Sequence, residues 1–187
     1  MKAEKVFGTV GLYTVAVGVL SAVVQSGQLF QKYLMINKPH PNKTHLSFDT
    51  FYPFYLQEHL DEVNRLLHFT GTSLIFLICL LTSPRTLPCM ILGLPLALAT
   101  FYLTVDMPKG FIEGAVLLAS FITFNRIFTG NYRSALVVIF LGYGFAWFGH
   151  FIFEKNKPAT FTYPTFSLMG DFMMWFQLVT GQIKLKT

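Results

Sequence analysis

The sequence predicts an all-α membrane protein: a polytopic bundle of about five transmembrane helices, with a C-terminal amphipathic helix lying at the interface. Three observations predict it. Of 187 residues, 53% are hydrophobic and only 12% are charged, too few polar groups to cover the core of a water-facing fold. Mean hydropathy is +0.52, which suits a bundle whose exterior is solvated by lipid. The apolar residues also fall into runs that approach the roughly 20 residues needed to cross a hydrocarbon core.

The first run, residues 6–25, follows Lys2 and Lys5. That order also suits a secretory signal, but the apolar stretch is longer than a signal's and favours a retained helix. Residues 26–65 are the longest polar stretch, and the second run follows at 66–82. A third run, 88–105, and a short fourth, 110–124, flank Asp106-Met107-Pro108-Lys109-Gly110. There Pro and Gly break the helix while two charges meet water, so the two runs read as a hairpin. The fifth run, 134–153, is the clearest. The last apolar segment, 166–180, is interrupted by Asp171 and suits an interfacial helix better than a sixth span. The chain thus divides into 1–47, an N-terminal transmembrane helix with a polar connection, and 48–187, a membrane domain holding the candidate site.

The net charge of +5 is scattered. No Lys/Arg block stands beside interleaved aromatics, so no nucleic-acid partner is expected; membrane lipid or an anionic substrate suits the basic residues better. Their distribution leaves the orientation open. Cys79 and Cys89 lie in apolar runs without metal-ligand spacing and read as buried free thiols. There is no HxxHH box, no phosphate-binding Gly loop and no GxSxG.

One inference is independent of orientation. The chain enters the second run from the side of residues 26–65, crosses four times, and leaves the fifth run on that same side. His59 and His68 stand at the entrance and His150 and Glu154 at the exit, so parity places all four at one membrane face. Of the five histidines, His40 and His45 lie in NKPHPNKTH and read as solvated loop residues. His59 and His68 are nine residues apart. On a straight helix that is about half a turn out of phase and about 13 Å of rise, so a shared ion requires a bend near residues 61–64. His150 and Glu154 form an H-x-x-x-E pair, which an α-helix sets on one face.

An imidazole and a carboxylate near the end of an apolar helix are costly unless paired, hydrated or metal-bound. Two histidines and one carboxylate with open positions suit non-haem Fe(II) and oxygen. The alternative is an interfacial hydrogen-bonded pair that caps the bundle, and spacing alone favours neither. Arg65 and Lys155 lie beside these residues and are candidates to receive a carboxylate. Glu113 and Asp171 read as structural. The 21 phenylalanines suit lipid, core or the wall of an acyl-chain tunnel.

Two stretches, FYPFYLQEH with NRLLHFTGTSL, and GHFIFEKNKPAT followed by YPTFSLMGDFMMW, resemble a family of small membrane proteins that includes a yeast endoplasmic-reticulum 2-hydroxy fatty acid dioxygenase. The resemblance covers roughly residues 48–180 and rests on His59, Asn64 and His68, and on Gly149, His150, Glu154, Lys155, Pro158 and Ala159. It implies an Fe(II)-dependent enzyme that uses O2 to shorten a 2-hydroxy fatty acid by one carbon, releasing CO2. It makes His59, His68 and His150 the expected iron ligands, with Glu154 a fourth ligand or a residue that orients an imidazole. Arg65 or Lys155 is expected to balance the substrate's charge. Some relatives carry a further histidine where this chain has Asn125-Arg126, which leaves room for a smaller ligand set. The competing expectation is a non-enzymatic scaffold or lipid-binding protein whose histidines only hydrogen-bond at the interface.

Overall fold

The computed structural model describes residues 2–25 and 27–186, and the regular structure among them is helical throughout. Helices α1 (Lys2–Gln25) and α2 (Gly27–Leu34) precede α3 (Phe48–Gln57). Next come α4 (Glu62–Thr82), α5 (Thr86–Leu103), α6 (Phe111–Thr129) and α7 (Arg133–Phe148). A π-helical segment, Gly149–Glu154, continues α7; a 3-10 turn, Ala159–Phe161, leads into α8 (Pro164–Val179).

Four of these stretches are long and apolar enough to cross a bilayer: Glu62–Thr82, Thr86–Leu103, Phe111–Thr129 and Arg133–Glu154. Gly8–Ala22 of α1 and Gly27–Leu34 form a pair bent by 63° that makes a fifth if counted as one span. The class and the number of crossings are those expected from hydropathy. Two boundaries differ, each for a polar reason. The second span starts at Glu62 rather than residue 66, because the Asp61 side chain accepts from the backbone N–H groups of Val63 and Asn64 and caps the helix. The fourth span reaches Thr129. Asn125 looks like an ending in sequence, but it is buried and donates to Ser134 Oγ at 2.9 Å.

The expected hairpin forms, with α5 packed along α6 and α4 along α7. Helix α8 packs against α3, α4, α5 and α6. Its Phe166 and Met174 join Phe51, Tyr55, Phe101 and Tyr163 in one buried cluster, while Asp171 reaches α4. Gly170 is the close approach that permits this, since a Cβ there would stand 2.8 Å from the Tyr55 ring. Ahead of α3, Lys43 Nζ lies 3.7 Å from Glu113 Oε2 with both side chains buried, and it donates to the Thr162 carbonyl at 2.5 Å. His45 is packed rather than solvated, stacked on Phe54 at 4.9 Å.

Candidate metal centre

Helix α3 ends at Gln57 and α4 begins at Glu62, and the bend between them folds His59 back over His68. A broken backbone in this setting needs partners for its freed N–H groups. Glu154, arriving from the end of α7, supplies them: its carboxylate accepts from the N–H of Leu60 at 3.0 Å and of Asp61 at 2.9 Å. The same carboxylate accepts from the Asn64 amide at 2.9 Å.

The result is a triad. Ring centroids lie 4.5 Å apart for His59 and His68, 4.6 Å for His59 and His150, and 5.1 Å for His68 and His150. One nitrogen from each lies within 4.8 Å of the other two, and all three residues are buried. The nine-residue separation is thus reconciled by the bend, and the parity of the crossings brings His150 to the same face.

Each Nδ1 faces an oxygen acceptor. For His59 it is the Tyr55 carbonyl at 2.6 Å, for His68 Asp171 Oδ1 at 2.8 Å, and for His150 Asn156 Oδ1 at 2.7 Å. The Asn156 amide is itself oriented, because its Nδ2 donates to the Glu58 carbonyl and to Glu58 Oε2, both at 3.0 Å. With Nδ1 donating, the proton sits there and Nε2 keeps its lone pair. The Nε2 atoms of His59 and His68 are buried with no hydrogen-bond partner. Buried acceptors left unpaired are expensive, and three imidazoles with fixed Nδ1–H groups, two of them with buried unpaired Nε2 atoms, have the donor set of a metal centre. Burial, reinforced by the neighbouring His68 and His150, pushes the basicity of His59 well below the usual imidazole range, which keeps it neutral as a ligand must be.

Beside His68 and Asp171 opens a narrow cavity of about 80 Å³. It runs down between α4, α6 and α7 to an apolar floor of Ile75, Met90, Phe121 and Val138.

Over residues 45–108 and 110–183 the sequence matches the family described as 2-hydroxy-palmitic acid dioxygenase Mpo1-like. The chain belongs to this Mpo1-like family. No curated protein and no solved structure matches it. The first matched segment of the Mpo1-like chain carries His59 and His68, and the second carries His150, Asn156 and Asp171. Helices α1 and α2 precede the match.

Three residues singled out from the sequence stand elsewhere. Glu154 is not among the converging groups. The H-x-x-x-E expectation assumed α-helical phase, whereas Gly149–Glu154 is π-helical, and the wider turn aims the carboxylate at the α3–α4 bend. Arg65 is buried and donates from Nε to the His59 carbonyl at 2.5 Å and from a guanidinium nitrogen to the Lys184 carbonyl at 2.8 Å. Lys155 is exposed and takes a left-handed conformation, φ 56°, where the π-helical segment ends. Conversely, Asp171, Asn156 and Glu58 belong to the site and were not expected there. The only sequence signal was that Asp171 interrupts an apolar helix, which is costly without a partner.

Proposed function

We propose that this Mpo1-like protein is a non-haem Fe(II) dioxygenase of lipid metabolism, acting in the endoplasmic-reticulum membrane to shorten 2-hydroxy fatty acids by one carbon. The observation that carries the proposal is the trio of imidazoles, each with Nδ1 held by an oxygen, beside an apolar cavity. His59, His68 and His150 are the residues that would hold the iron, and imidazole donors suit it. Bound there, Fe(II) would supply oxygen activation and a Lewis-acid grip on the substrate.

The rest is done by the chain itself. Asp171, Asn156 and the Tyr55 carbonyl fix ring orientation and tautomer. The apolar walls take the acyl chain and keep water out. Arg65 holds the His59 carbonyl in place from behind the site, and neither it nor Lys155 lines the cavity. The overall reaction balances without a reductant: a 2-hydroxy acid and one O2 yield the acid shorter by one carbon, one CO2 and one water. A non-enzymatic scaffold gives no use to the two unpaired Nε2 atoms.

The test is to incubate membranes containing the protein with 2-hydroxypalmitate, with Fe(II) and with a chelator, and to measure pentadecanoate. Product that requires both iron and oxygen is the expected result. A His59→Ala or His150→Ala protein with full activity overturns the ligand assignment, and folded, iron-loaded protein without product overturns this substrate.

A further inference from the structure

Hydroxyl groups inside membrane helices are ordinarily satisfied by the carbonyl one turn earlier. In this protein Ser73 bonds to the Phe69 carbonyl, Thr82 to Ile78, Thr100 to Leu96 and Thr129 to Asn125. Thr72 breaks the pattern. It is buried, one helical turn beyond His68, and lines the cavity beside it. Among the described residues its hydroxyl has no hydrogen-bond partner. Tyr143 lines the same cavity from α7. Its ring packs edge-on against Trp147 at 5.3 Å, and its hydroxyl also has no partner among the described residues.

The cavity is therefore polarised. One end holds His68, Asp171 and two unpaired hydroxyls; the other is the apolar floor of Ile75, Met90, Phe121 and Val138. Such a space takes an amphiphile in one direction only, with its head at the hydroxyls and its tail on the floor. We propose that Thr72 and Tyr143 recognise the hydroxylated head of the substrate, so that the cavity selects a 2-hydroxy acid over the unsubstituted acid of the same length. This rests on the dioxygenase reading for the identity of the substrate. The physical basis is asymmetric. A bound 2-hydroxy acid displaces water from the cavity and replaces its bonds to the two hydroxyls, whereas a plain acid displaces the water and replaces none. Sites built to bond a substrate hydroxyl discriminate strongly against analogues that lack it.

The experiment is equilibrium binding to full-length, iron-loaded protein in detergent without oxygen. 2-Hydroxypalmitate and palmitate compete separately against a fluorescent fatty acid. Wild type, Thr72→Val and Tyr143→Phe are compared, with iron content measured for each. The wild type is expected to prefer the hydroxy acid. Each variant should lose about tenfold to a hundredfold of that preference, with palmitate affinity and iron content unchanged. Iron chelation contributes equally in all three proteins, so the loss reports the hydroxyls. Variants that keep the wild-type preference overturn the proposal, as does a wild type that binds both acids alike. A preference lost in the variants, from a wild type that makes no pentadecanoate in air, supports the recognition and sinks the reaction. Turnover with an unchanged preference does the reverse.

Discussion

Asp171 Oδ1 lies 2.8 Å from Nδ1 of His68 and also accepts from the Tyr55 hydroxyl at 2.5 Å. One carboxylate oxygen on α8 thus holds an imidazole of α4 and a phenol of α3. Of the three Nδ1 partners it is the only carboxylate, so His68 makes the one charge-assisted Nδ1 bond of the triad. It also explains a charge in the middle of an otherwise apolar helix.

Asp171→Asn removes the charge but retains an acceptor for His68. The expected outcome is a 10- to 100-fold loss of metal affinity with a small change in thermal stability. Fe(II) or Co(II) titration alongside thermal unfolding in detergent measures both. Wild-type affinity together with a lowered Tm would make Asp171 a packing residue only.

Glu154 gives the opposite expectation. Its carboxylate is engaged with Leu60, Asp61 and Asn64, so Glu154→Ala should lose stability while keeping wild-type iron per chain. Bonds to a charged acceptor are each worth about 1.5–3 kcal/mol; the turn is partly exposed and water replaces some of them, so a loss of about 1–3 kcal/mol is expected. Elemental analysis decides it: a variant that stays stable but holds no iron would restore Glu154 to the ligand set.

What was legible in the sequence follows from what is local. Apolar runs and the turn around Pro108 set the crossings, and counting crossings placed His59, His68 and His150 at one face without any contact being known. The bend between His59 and His68 was foreseeable as a condition for a shared ion, but not as a fact, because its partner Glu154 is more than ninety residues away. Asp171 and His68 are 103 residues apart, and no periodicity links them. The bonds that Glu154 makes were hidden for a different reason. Spacing assumes helical phase, and a π-helical segment breaks that assumption without leaving a mark in composition.

Gly149 is required by a contact. A Cβ there would lie 2.1 Å from Asn64 Oδ1. Asn64 cannot swing aside, since it is fully buried and its amide holds Glu154. Gly149→Ala should therefore cost about 1–3 kcal/mol by overpacking and displace His150 beside it. Adding Asn64→Ala removes the clash, so the double variant should be more stable than the sum of the two singles implies, with a coupling of about 0.5–3 kcal/mol. Strict additivity in unfolding experiments would show that the two side chains do not meet.

The Lys43–Glu113 pair joins the segment ahead of α3 to α6, and through Thr165 to the start of α8. Lys43 also faces the rings of Phe101 at 4.8 Å and Tyr163 at 5.2 Å, and burial lowers its basicity while Glu113 opposes that effect. Such a pair is a poor source of net stability, because desolvation offsets attraction; losing one partner, however, strands a buried charge at a cost of about 3–5 kcal/mol. Lys43→Met and Glu113→Gln should each be strongly destabilising. The double variant should recover much of the loss, since no unpaired charge remains and Gln keeps an acceptor for the Thr165 N–H. Because the pair positions α8, and α8 carries Asp171, each single variant should also weaken metal binding, and the double variant should restore it. Unfolding midpoints and metal titrations on the three proteins test this together. A double variant as unstable as the sum of the singles would mean that the two groups act independently and that the pair does not anchor α8.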